Sequence, residues 1–291
     1  MRSSGADNQL GDFLRARREL VRPDDVGLRV DGVRRIPGLR REEVALLAGI
    51  SADYYLRLEQ GRDRHPSAQV LDAVARVLLL DDAATSYLLG LIAPQPRRRR
   101  RPPRRETVPA GVLGLLGSVG LPAFVEGRWF DVLAANDLAR ALSPGLVPGS
   151  NRLRSVFLDP AERALFQDWD AGTARLVAGF RGRIGTELDD PRVVELVGEL
   201  SLGSERFRRL WARHDVRVPE AWDIRFDHPA MGELTLSCEK LAVSGTDGQL
   251  VCVYHAAAGT SSAEKLALLG SMVAAAAPDQ VSPTASLAGT D

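Results

Sequence analysis

The residues with the clearest potential for chemistry lie in AGISADYYLRLEQG, residues 48–61. Gly49 permits a tight turn, and the side chain of Ser51 can accept a hydrogen bond from the first turn of a helix. In the helix that follows, Tyr54 and Tyr55 point about 100° apart, so they cannot both pack into one narrow core seam. We predict that Tyr55 packs in the core and that Tyr54 faces outward.

Residues 40–61 have the pattern of a helix-turn-helix, with helix RREEVALLA, turn GIS and helix ADYYLRLEQG. Ala45 is small where the two helices cross, and Ile50 fills the angle between them. Such a motif presents the first turns of its second helix to the major groove of DNA. Arg57 is the predicted base reader, because a guanidinium group matches O6 and N7 of guanine. The predicted reading edge consists of Ala52, Asp53, Tyr54 and Arg57, and the capping residue Ser51 is a further predicted DNA contact.

Six further arginines lie around this motif, and for each of them a solvated surface position is the alternative to a DNA contact. The six are Arg34, Arg35, Arg40, Arg41, Arg62 and Arg64. We predict phosphate contacts for Arg41, at the start of the first helix of the motif, and for Arg62 and Arg64, just past the second. Arg34 and Arg35 end a long loop and are candidates for a minor groove.

The charge of the chain divides at an arginine-rich segment. Residues 1–105 contain 21 Arg and 14 acidic residues, whereas residues 106–291 contain 17 basic and 24 acidic residues. A basic half favours nucleic acid as a partner. Residues 94–109, PQPRRRRRPPRRETVP, combine seven arginines with prolines that prevent a helix, which predicts a linker. Whether the linker contacts DNA is left open.

Hydrophobic periodicity predicts two domains of different architecture. Residues 8–93 contain five stretches with helical spacing, which predicts an all-α five-helix domain. Residues 110–275 begin and end with strand patterns that enclose helices, which predicts an α+β domain. The tail, residues 276–291, is rich in small residues and is predicted to be disordered. The strand patterns are LPAFVEGRWFDVLAAN, DIRFDHP, GELTLSCEKLAV and QLVCVYHAA.

The two cysteines, Cys238 and Cys252, lie in two predicted strands that flank a turn at Asp247 and Gly248. With a turn at that place, the cysteines are about five residues out of register. We therefore predict two small buried hydrophobic residues that do not meet.

The sequence lacks the motifs of common catalytic sites. The four histidines, His65, His214, His228 and His255, are scattered, and there is no HExxH, CxxC, GxSxG or Gly-rich phosphate loop. We predict that the protein is not an enzyme and needs no metal or cofactor. No apolar run reaches the roughly 18 to 20 residues of a membrane helix, and the first residues lack a secretion signal. These features predict a cytoplasmic, nucleoid-associated protein without a membrane partner.

The second domain contains aromatic and polar residues that could line a ligand pocket. The aromatic ones are Trp129, Phe130, Phe157, Phe166, Trp169, Phe180, Trp211 and Trp222, and core packing is the alternative for each of them. From these we select as ligand contacts Trp129, Phe157, Trp169, Phe180 and Trp211. The polar groups that could orient a ligand or bind a carboxylate are Asn136, Arg181, His214 and His228. His228 precedes Pro229 and has a structural turn as its alternative role.

Both halves of the chain resemble known families. GLRREEVALLAGISADYYLRLEQGR, with HPSAQVLDAVARVL behind it, resembles the DNA-binding domain of the xenobiotic-response-element family of bacterial repressors, in its actinobacterial branch. LPAFVEGRWFDVLAANDLARAL, FLDPAERALFQDW, ELVGELSLGSERFRRLWARHDV and FDHPAMGELTLSCEKL resemble the ligand-binding domain of MmyB-like transcriptional regulators. The resemblance covers about residues 10–270. It implies a PAS-like second domain, five-stranded with helices over one face, whose apolar cavity holds a fatty-acid-like molecule.

Together these features predict a ligand-responsive transcription regulator that binds double-stranded, pseudo-palindromic DNA as a homodimer. In such dimers the recognition helices lie about 34 Å apart. The alternative is a DNA-binding regulator whose second domain is a protein-interaction module without a small-molecule ligand. RNA polymerase is a candidate partner in that case.

Overall fold

A computed structural model describes residues 8–29, 34, 36–63, 65–93, 106–218 and 222–276. Arg35, Arg64, most of the predicted linker and nearly all of the predicted disordered tail lie outside the described residues.

The N-terminal domain is all-α, as predicted. Four of its helices begin at a side chain that accepts a hydrogen bond from an otherwise unpaired amide, namely Asn8, Ser51, Ser67 and Asp81. A short 3-10 helix, Pro23–Val26, follows the first helix. The five α-helices are α1 Gln9–Leu20, α2 Arg41–Ala48, α3 Ala52–Glu59, α4 Ala68–Val77 and α5 Asp82–Ile92.

The C-terminal domain is α+β, also as predicted. Its five strands form one antiparallel sheet in the order β2-β1-β5-β4-β3, so β5 joins the first hairpin to the later strands. The strands are β1 Ala123–Glu126, β2 Val132–Ala135, β3 Asp223–His228, β4 Gly232–Ala242 and β5 Leu250–His255. The helices are α6 Ala110–Ser118, α7 Asp137–Leu142, α8 Arg152–Leu158, α9 Pro160–Ala164, α10 Trp169–Ile184, α11 Pro191–Gly203, α12 Glu205–Ala212 and α13 Ser261–Ala276.

Helices cover both faces of the sheet, and not one face as the resemblance implies. Successive residues of a strand point to opposite faces, so Phe124 and Val125 of β1 belong to different clusters. Phe124 packs in the cluster that includes α7 and α13, whereas Val125 packs with Leu116 of α6. None of the described helices is long and apolar enough to cross a membrane.

The pairing of β4 with β5 corrects the prediction for the cysteines. Cys238 lies opposite Tyr254 and Lys240 lies opposite Cys252, so the two cysteines are diagonal neighbours on one face of the sheet. The prediction that they do not meet was wrong, because the connection between the strands is a longer loop and not a two-residue turn. Both thiols are free and buried, and the neighbouring Cys238 together with burial raises the pKa of Cys252.

Candidate DNA-binding surface and ligand cavity

The helix-turn-helix has the local geometry that its sequence predicts. Ala45 is buried where α2 meets α3. Gly49 adopts a left-handed conformation with φ 70°, which a residue without a Cβ atom tolerates best. Ser51 Oγ accepts a hydrogen bond of 3.1 Å from the Tyr54 amide and begins α3. The turn and the cap therefore fix how α3 leaves α2.

The first turns of α3 present an exposed polar edge. Ala52, Asp53 and Arg57 are exposed, and 45% of the Arg57 side-chain surface is accessible. Arg57 pairs with the Asp53 carboxylate one turn earlier, and its guanidinium carbon lies 5.5 Å from the centroid of the Tyr54 ring. Arg57 is thus held at the surface by two contacts that a stronger partner can replace.

The two tyrosines of α3 differ in burial, but Tyr54 faces outward only in part, because it also packs against the edge of the core. Tyr55 is completely buried in the core of the domain. Tyr54 is half-buried. Burial is the main cause that raises the pKa of its phenol, and the nearby Asp63 carboxylate raises it further. Tyr54 therefore borders the surface that contains Arg57, while Tyr55 secures the packing of the same helix.

A buried carboxylate ties α3 to the two helices in front of it. Glu59 accepts hydrogen bonds of 2.6 Å from Arg18 Nε of α1 and from Arg41 Nε of α2. Burial opposes its ionisation, but Arg18 and Arg41 hold the pKa of Glu59 below its usual range. Arg41 keeps 42% of its side chain accessible. Arg41 is thus anchored inside and available outside, next to the reading edge.

The remaining predicted DNA contacts lie in different surroundings. The Arg34 guanidinium donates to both oxygens of Glu43, at 2.7 and 2.8 Å, and to the Gly38 carbonyl at 2.8 Å. These bonds attach the loop to α2, and they lower the pKa of Glu43. A minor-groove contact by Arg34 would need them to break. Arg40 and Arg62 are exposed, and Arg35 and Arg64 lie outside the described residues.

A cavity of about 160 Å³ lies between the sheet and α10 of the C-terminal domain. Its walls are largely aromatic and aliphatic, and they come from α8, from the first turns of α10 and from strands β1, β3, β4 and β5. The lining residues are Phe124, Glu126, Arg152, Val156, Phe166, Asp168, Trp169, Ala171, Gly172, Thr173, Arg175, Leu176, Trp222, Asp223, Ile224, Arg225, Cys238, Lys240 and Tyr254.

The inner end of the cavity contains buried charges. Lys240 Nζ lies 3.4 Å from Glu126 Oε1, and Arg183 pairs with the same carboxylate. Arg152 Nη1 lies 2.8 Å from Glu162 Oε1. We call these three cations and two carboxylates the inner cluster, which has one positive charge in excess. Glu126, Arg152 and Lys240 line the cavity, whereas Arg183 and Glu162 pair with them from outside its lining.

The pKa shifts of the inner cluster agree with that excess. Burial opposes the ionisation of Glu126, but Lys240, Arg183 and Arg152 hold its pKa below the usual range. Burial also disfavours charge on Lys240, yet Glu126 raises the pKa of the ammonium group above its ordinary value. Glu126 and Lys240 therefore stabilise the charged form of each other.

The outer end of the cavity opens towards solvent. Asp168, Arg175, Asp223 and Arg225 are exposed there, and Arg225 makes two 2.6 Å hydrogen bonds to Asp168. Trp222 lies under the Arg175 guanidinium, 5.7 Å from it. The cavity thus combines buried charges, aromatic walls and exposed polar residues.

The structure places one of the nine predicted ligand contacts, Trp169, in the cavity wall. Phe157 stacks edge-on against Trp169 and Phe207. The rings of Phe180 and Trp211 have centroids 5.9 Å apart. The guanidinium carbon of Arg181 lies 3.8 Å from the centroid of the Trp211 ring. These side chains form a second aromatic core beside the cavity.

The other predicted ligand contacts have structural partners. Asn136 caps α7 through a 2.9 Å bond from the Ala139 amide. The His228 ring lies 2.9 Å from the Ala141 carbonyl and accepts from the Ala230 amide, which matches its alternative role in a turn. Trp129 lies under Arg128, and His214 lies beside Phe13 of the N-terminal domain.

The charged residues of the cavity were not predicted, although the sequence contains a signal for them. Glu126 follows Phe124 by two positions in β1, and Lys240 follows Cys238 by two positions in β4. Alternation along a strand therefore places each charge on the same face as a buried apolar residue. A charge in the apolar phase of a strand needs a partner or a function. Among the described residues, no group of three His, Cys, Asp or Glu side chains is placed to hold a metal ion.

Two family models match the chain in the order in which the domains occur. Residues 9–88 match a model described as a helix-turn-helix domain, and residues 108–269 match the MmyB-like transcription regulator ligand binding domain. No curated protein matches the chain. The second match covers more than half of the 291 residues, and its α+β fold and cavity agree with the description of a ligand-binding domain. The chain therefore belongs to the MmyB-like transcription regulators, as a DNA-binding protein with a ligand-binding domain.

Proposed function

We propose that this regulator recognises a specific pseudo-palindromic operator as a homodimer, and that a small fatty-acid-like molecule in the cavity of the C-terminal domain controls its affinity for DNA. The observation on which the ligand assignment rests is the inner cluster, which places an excess buried positive charge at the closed end of an aromatic cavity.

Sequence recognition follows from the exposed edge of α3. A helix-turn-helix inserts this edge into the major groove, and Arg57 is the exposed side chain there that can make a bidentate contact with guanine. Asp53, which pairs with Arg57 in the free protein, must release it or share it. Arg41 and Arg62 flank the edge and are proposed to contact phosphates.

Selection from a random DNA pool followed by mobility-shift titration tests this part. Arg57→Ala should lose about 1 to 3 kcal/mol of discrimination between the selected sequence and random DNA. Arg76→Ala, which removes an exposed arginine of α4, is the matched control and should bind like the parent. Sedimentation of the complex on the selected fragment gives the number of subunits. Equal affinity for selected and random DNA would show that recognition is not sequence-specific.

The size of the cavity limits what it can enclose. An engineered protein cavity of about 150 Å³ holds benzene, so the present cavity encloses a group of roughly six carbon atoms. A longer acyl chain would extend from the cavity through the open end near Trp222 and Arg225. The aromatic wall favours the apolar part of such a molecule, because burying it removes apolar surface from water.

The charge of the cavity favours an anionic group at the other end of the ligand. Removing ions from water is costly unless they are paired. The inner cluster has fewer carboxylates than cations, and Lys240 has one carboxylate oxygen, at 3.4 Å, within ion-pair distance. A ligand carboxylate beside Lys240 and Arg152 would balance the charge.

Mass spectrometry of gently purified protein under native conditions, followed by titration with dodecanoate, tests the ligand proposal. We expect a co-purified molecule with an acyl chain and an acidic group, or else saturable binding of dodecanoate at one site per chain. Trp222→Ala should weaken the binding, whereas Trp129→Ala, outside the cavity, should not. A protein that neither retains a small molecule nor binds dodecanoate would contradict the proposal.

A protein-interaction role for the C-terminal domain has one specific observation in its favour. Val194 and Leu202 of α11 are exposed, and Leu202 has 89% of its surface accessible. An isolated exposed apolar residue is common, but two on one helix can contribute to a docking surface. Crosslinking to RNA polymerase decides between the two roles. Crosslinks that are lost in Leu202→Asp would favour the protein-interaction role, and their absence in the parent would favour the ligand-binding role.

A further inference from the structure

A short segment of the C-terminal domain is inserted against the N-terminal domain. This segment, residues 213–218, follows α12. The His214 ring lies 6.3 Å from the Phe13 ring of α1, Asp215 pairs with Arg17 of α1, and Val216 is buried in the N-terminal core. We call residues 213–218 the docking segment.

Helix α10 makes a second contact between the two domains. Arg181 is almost completely buried, and its Nη2 donates a 2.7 Å hydrogen bond to the Trp211 carbonyl. Its guanidinium also lies beside the hydroxyl of Tyr87 in α5. Its Nε is buried without a hydrogen-bond partner among the described residues. A buried donor without a hydrogen-bond partner costs free energy, so the packing around Arg181 must hold the side chain in place. This contact is therefore sensitive to a displacement of its neighbours.

Both contacting elements also line cavities. Residues 169–176 of α10 line the 160 Å³ cavity, one to three turns before Arg181. Arg217 and Val218 line a smaller cavity of about 30 Å³, which shares Trp222 and Lys240 with the large one.

The docking segment lies directly on α10. The Arg217 amide donates a 3.1 Å hydrogen bond to the Ala178 carbonyl of α10. Gly182 permits this approach, because a methyl group at its Cα would overlap the Arg217 carbonyl oxygen. A displacement of α10 by a ligand therefore displaces the docking segment as well.

Helix α1 extends the connection to the reading helix. Arg17 binds Asp215 on one side of α1, and the next residue, Arg18, holds Glu59 at the end of α3. Asn8 Nδ2 donates a 2.9 Å hydrogen bond to the Glu59 carbonyl. A methyl group at Gly11 would overlap that same carbonyl oxygen. Because α1 and α3 are in backbone contact, α1 cannot shift without moving α3.

We propose that α10 and the docking segment transmit occupancy of the cavity to α3 through α1 and α5. The proposal rests on the ligand-binding role of the cavity and specifies how that role is regulated. A ligand changes DNA affinity only if it binds the two arrangements of the domains unequally. Since α10 forms both a cavity wall and a domain contact, a ligand that displaces its first turns favours one arrangement.

Two interface variants and one surface control test the proposal in the full-length protein. Asp215→Ala removes the pair with Arg17, and Tyr87→Phe removes the hydroxyl beside Arg181 with little change in shape. Arg154→Ala removes a surface ion pair between α8 and α11 and serves as the matched control. The readouts are dodecanoate affinity by calorimetry and affinity for the selected DNA fragment with and without saturating dodecanoate.

Dodecanoate should change the DNA affinity of the parent and of Arg154→Ala by about fivefold or more. Asp215→Ala and Tyr87→Phe should bind dodecanoate as the parent does. In these two variants, however, dodecanoate should change the DNA affinity by less than about twofold. A full response in both interface variants would overturn the proposal. Absence of dodecanoate binding in the parent would instead overturn the ligand assignment.

A cavity-filling variant tests the coupling without any ligand. Gly172 of α10 lines the cavity, and a Cβ atom there meets open space. In the parent background, Gly172→Leu should change the DNA affinity. In the Asp215→Ala background, the same substitution should have a smaller effect. Equal effects in the two backgrounds, or no effect in either, would overturn the coupling whatever dodecanoate does.

Discussion

The two domains each contain a buried carboxylate between two cations, and the two arrangements differ in where the excess charge faces. In the N-terminal domain, Glu59 lies between Arg18 and Arg41, and the outer side of Arg41 faces solvent. In the C-terminal domain, Glu126 lies between Arg183 and Lys240, and the cluster faces a cavity. The same chemistry therefore supports the packing of helices next to the proposed DNA-binding surface in one domain and borders the proposed ligand cavity in the other.

The difference is physical in origin. Glu59 has no accessible surface and receives hydrogen bonds on both oxygens, so its ion pairs join three helices. The inner cluster borders empty space, so its groups can exchange partners with a bound molecule. We therefore propose that the fully packed cluster joins helices, whereas the cluster with one open side binds a ligand.

The largest expected effect on stability is at Glu59, Arg18 and Arg41, which we call the Glu59 cluster. Glu59→Gln leaves Arg18 without a buried counter-charge and should lower the free energy of unfolding of the N-terminal domain by about 3 to 5 kcal/mol. Urea unfolding of the full chain, monitored by a probe in that domain, measures the change. Glu19→Gln, at an exposed acid 3.9 Å from the same arginine, is the control and should change it by less than about 0.5 kcal/mol. A small effect of Glu59→Gln would remove the distinction between the clusters.

The equivalent change in the inner cluster should have a smaller and different effect. Glu126→Gln should cost about 1 to 3 kcal/mol of unfolding free energy, because the cavity gives the remaining cations access to water or ligand. It should also strengthen dodecanoate binding by about 1 kcal/mol, roughly fivefold, since a competing carboxylate is removed. Calorimetric titration checks this gain, with Glu239→Gln on β4 as the control. Weaker binding would show that the inner cluster is a packed joint like the Glu59 cluster.

Acidification should weaken the contact between the two domains at the docking segment. Burial, with Arg181 and Arg17 nearby, lowers the pKa of His214 to about 3. The Phe13 ring also packs edge-on against the His214 ring. Because the folded pKa lies below that of the unfolded chain, about 6.5, the unfolded chain binds more protons and stability falls as the pH drops below 6.5.

The loss attributable to His214 should reach about 1 kcal/mol at pH 5.5. The change in unfolding free energy between pH 7.5 and 5.5 should therefore be smaller in His214→Gln than in the parent. His65→Gln, at an exposed histidine, should retain the full change. The same change in all three proteins would contradict the assignment of a neutral His214 at the domain contact.

The smallest expected effect is at the outward side of the Glu59 cluster. Arg41→Ala should weaken binding to selected and random DNA alike and lower the slope of log affinity against log salt by about 0.9, since one phosphate contact is lost. Mobility shifts at several salt concentrations measure the slope, with Arg76→Ala as the control. An unchanged slope would mean that the accessible charge of Arg41 does not meet DNA.

The sequence predicts the N-terminal domain in detail because its signals are local. Gly49, Ser51 and the spacing of Tyr55 and Leu58 lie within ten residues of one another, and each has the role that its chemistry suggests. The strands of the second domain were also predicted from local alternation. The DNA contacts of the individual arginines stay predictions.

The cavity depends on convergence that no local pattern contains. Glu126 and Lys240 are 114 positions apart and meet because β5 lies between β1 and β4. Arg152 lies in α8, a helix that was not predicted from the sequence. Most of the selected aromatic residues pack on each other, since aromatic side chains at helical spacing serve a core as well as a pocket. The diagonal placement of the cysteines depended in the same way on the length of one loop.

The most direct test of the account is a titration of the parent and of Lys240→Met with dodecanoate and with dodecan-1-ol. The parent should prefer the carboxylate by about tenfold or more, because a charged hydrogen bond contributes about 1.5 to 3 kcal/mol. Lys240→Met should bind the alcohol as the parent does and lose most of the preference. Equal binding of both molecules by the parent, or a preference that survives in Lys240→Met, would contradict the role assigned to the inner cluster.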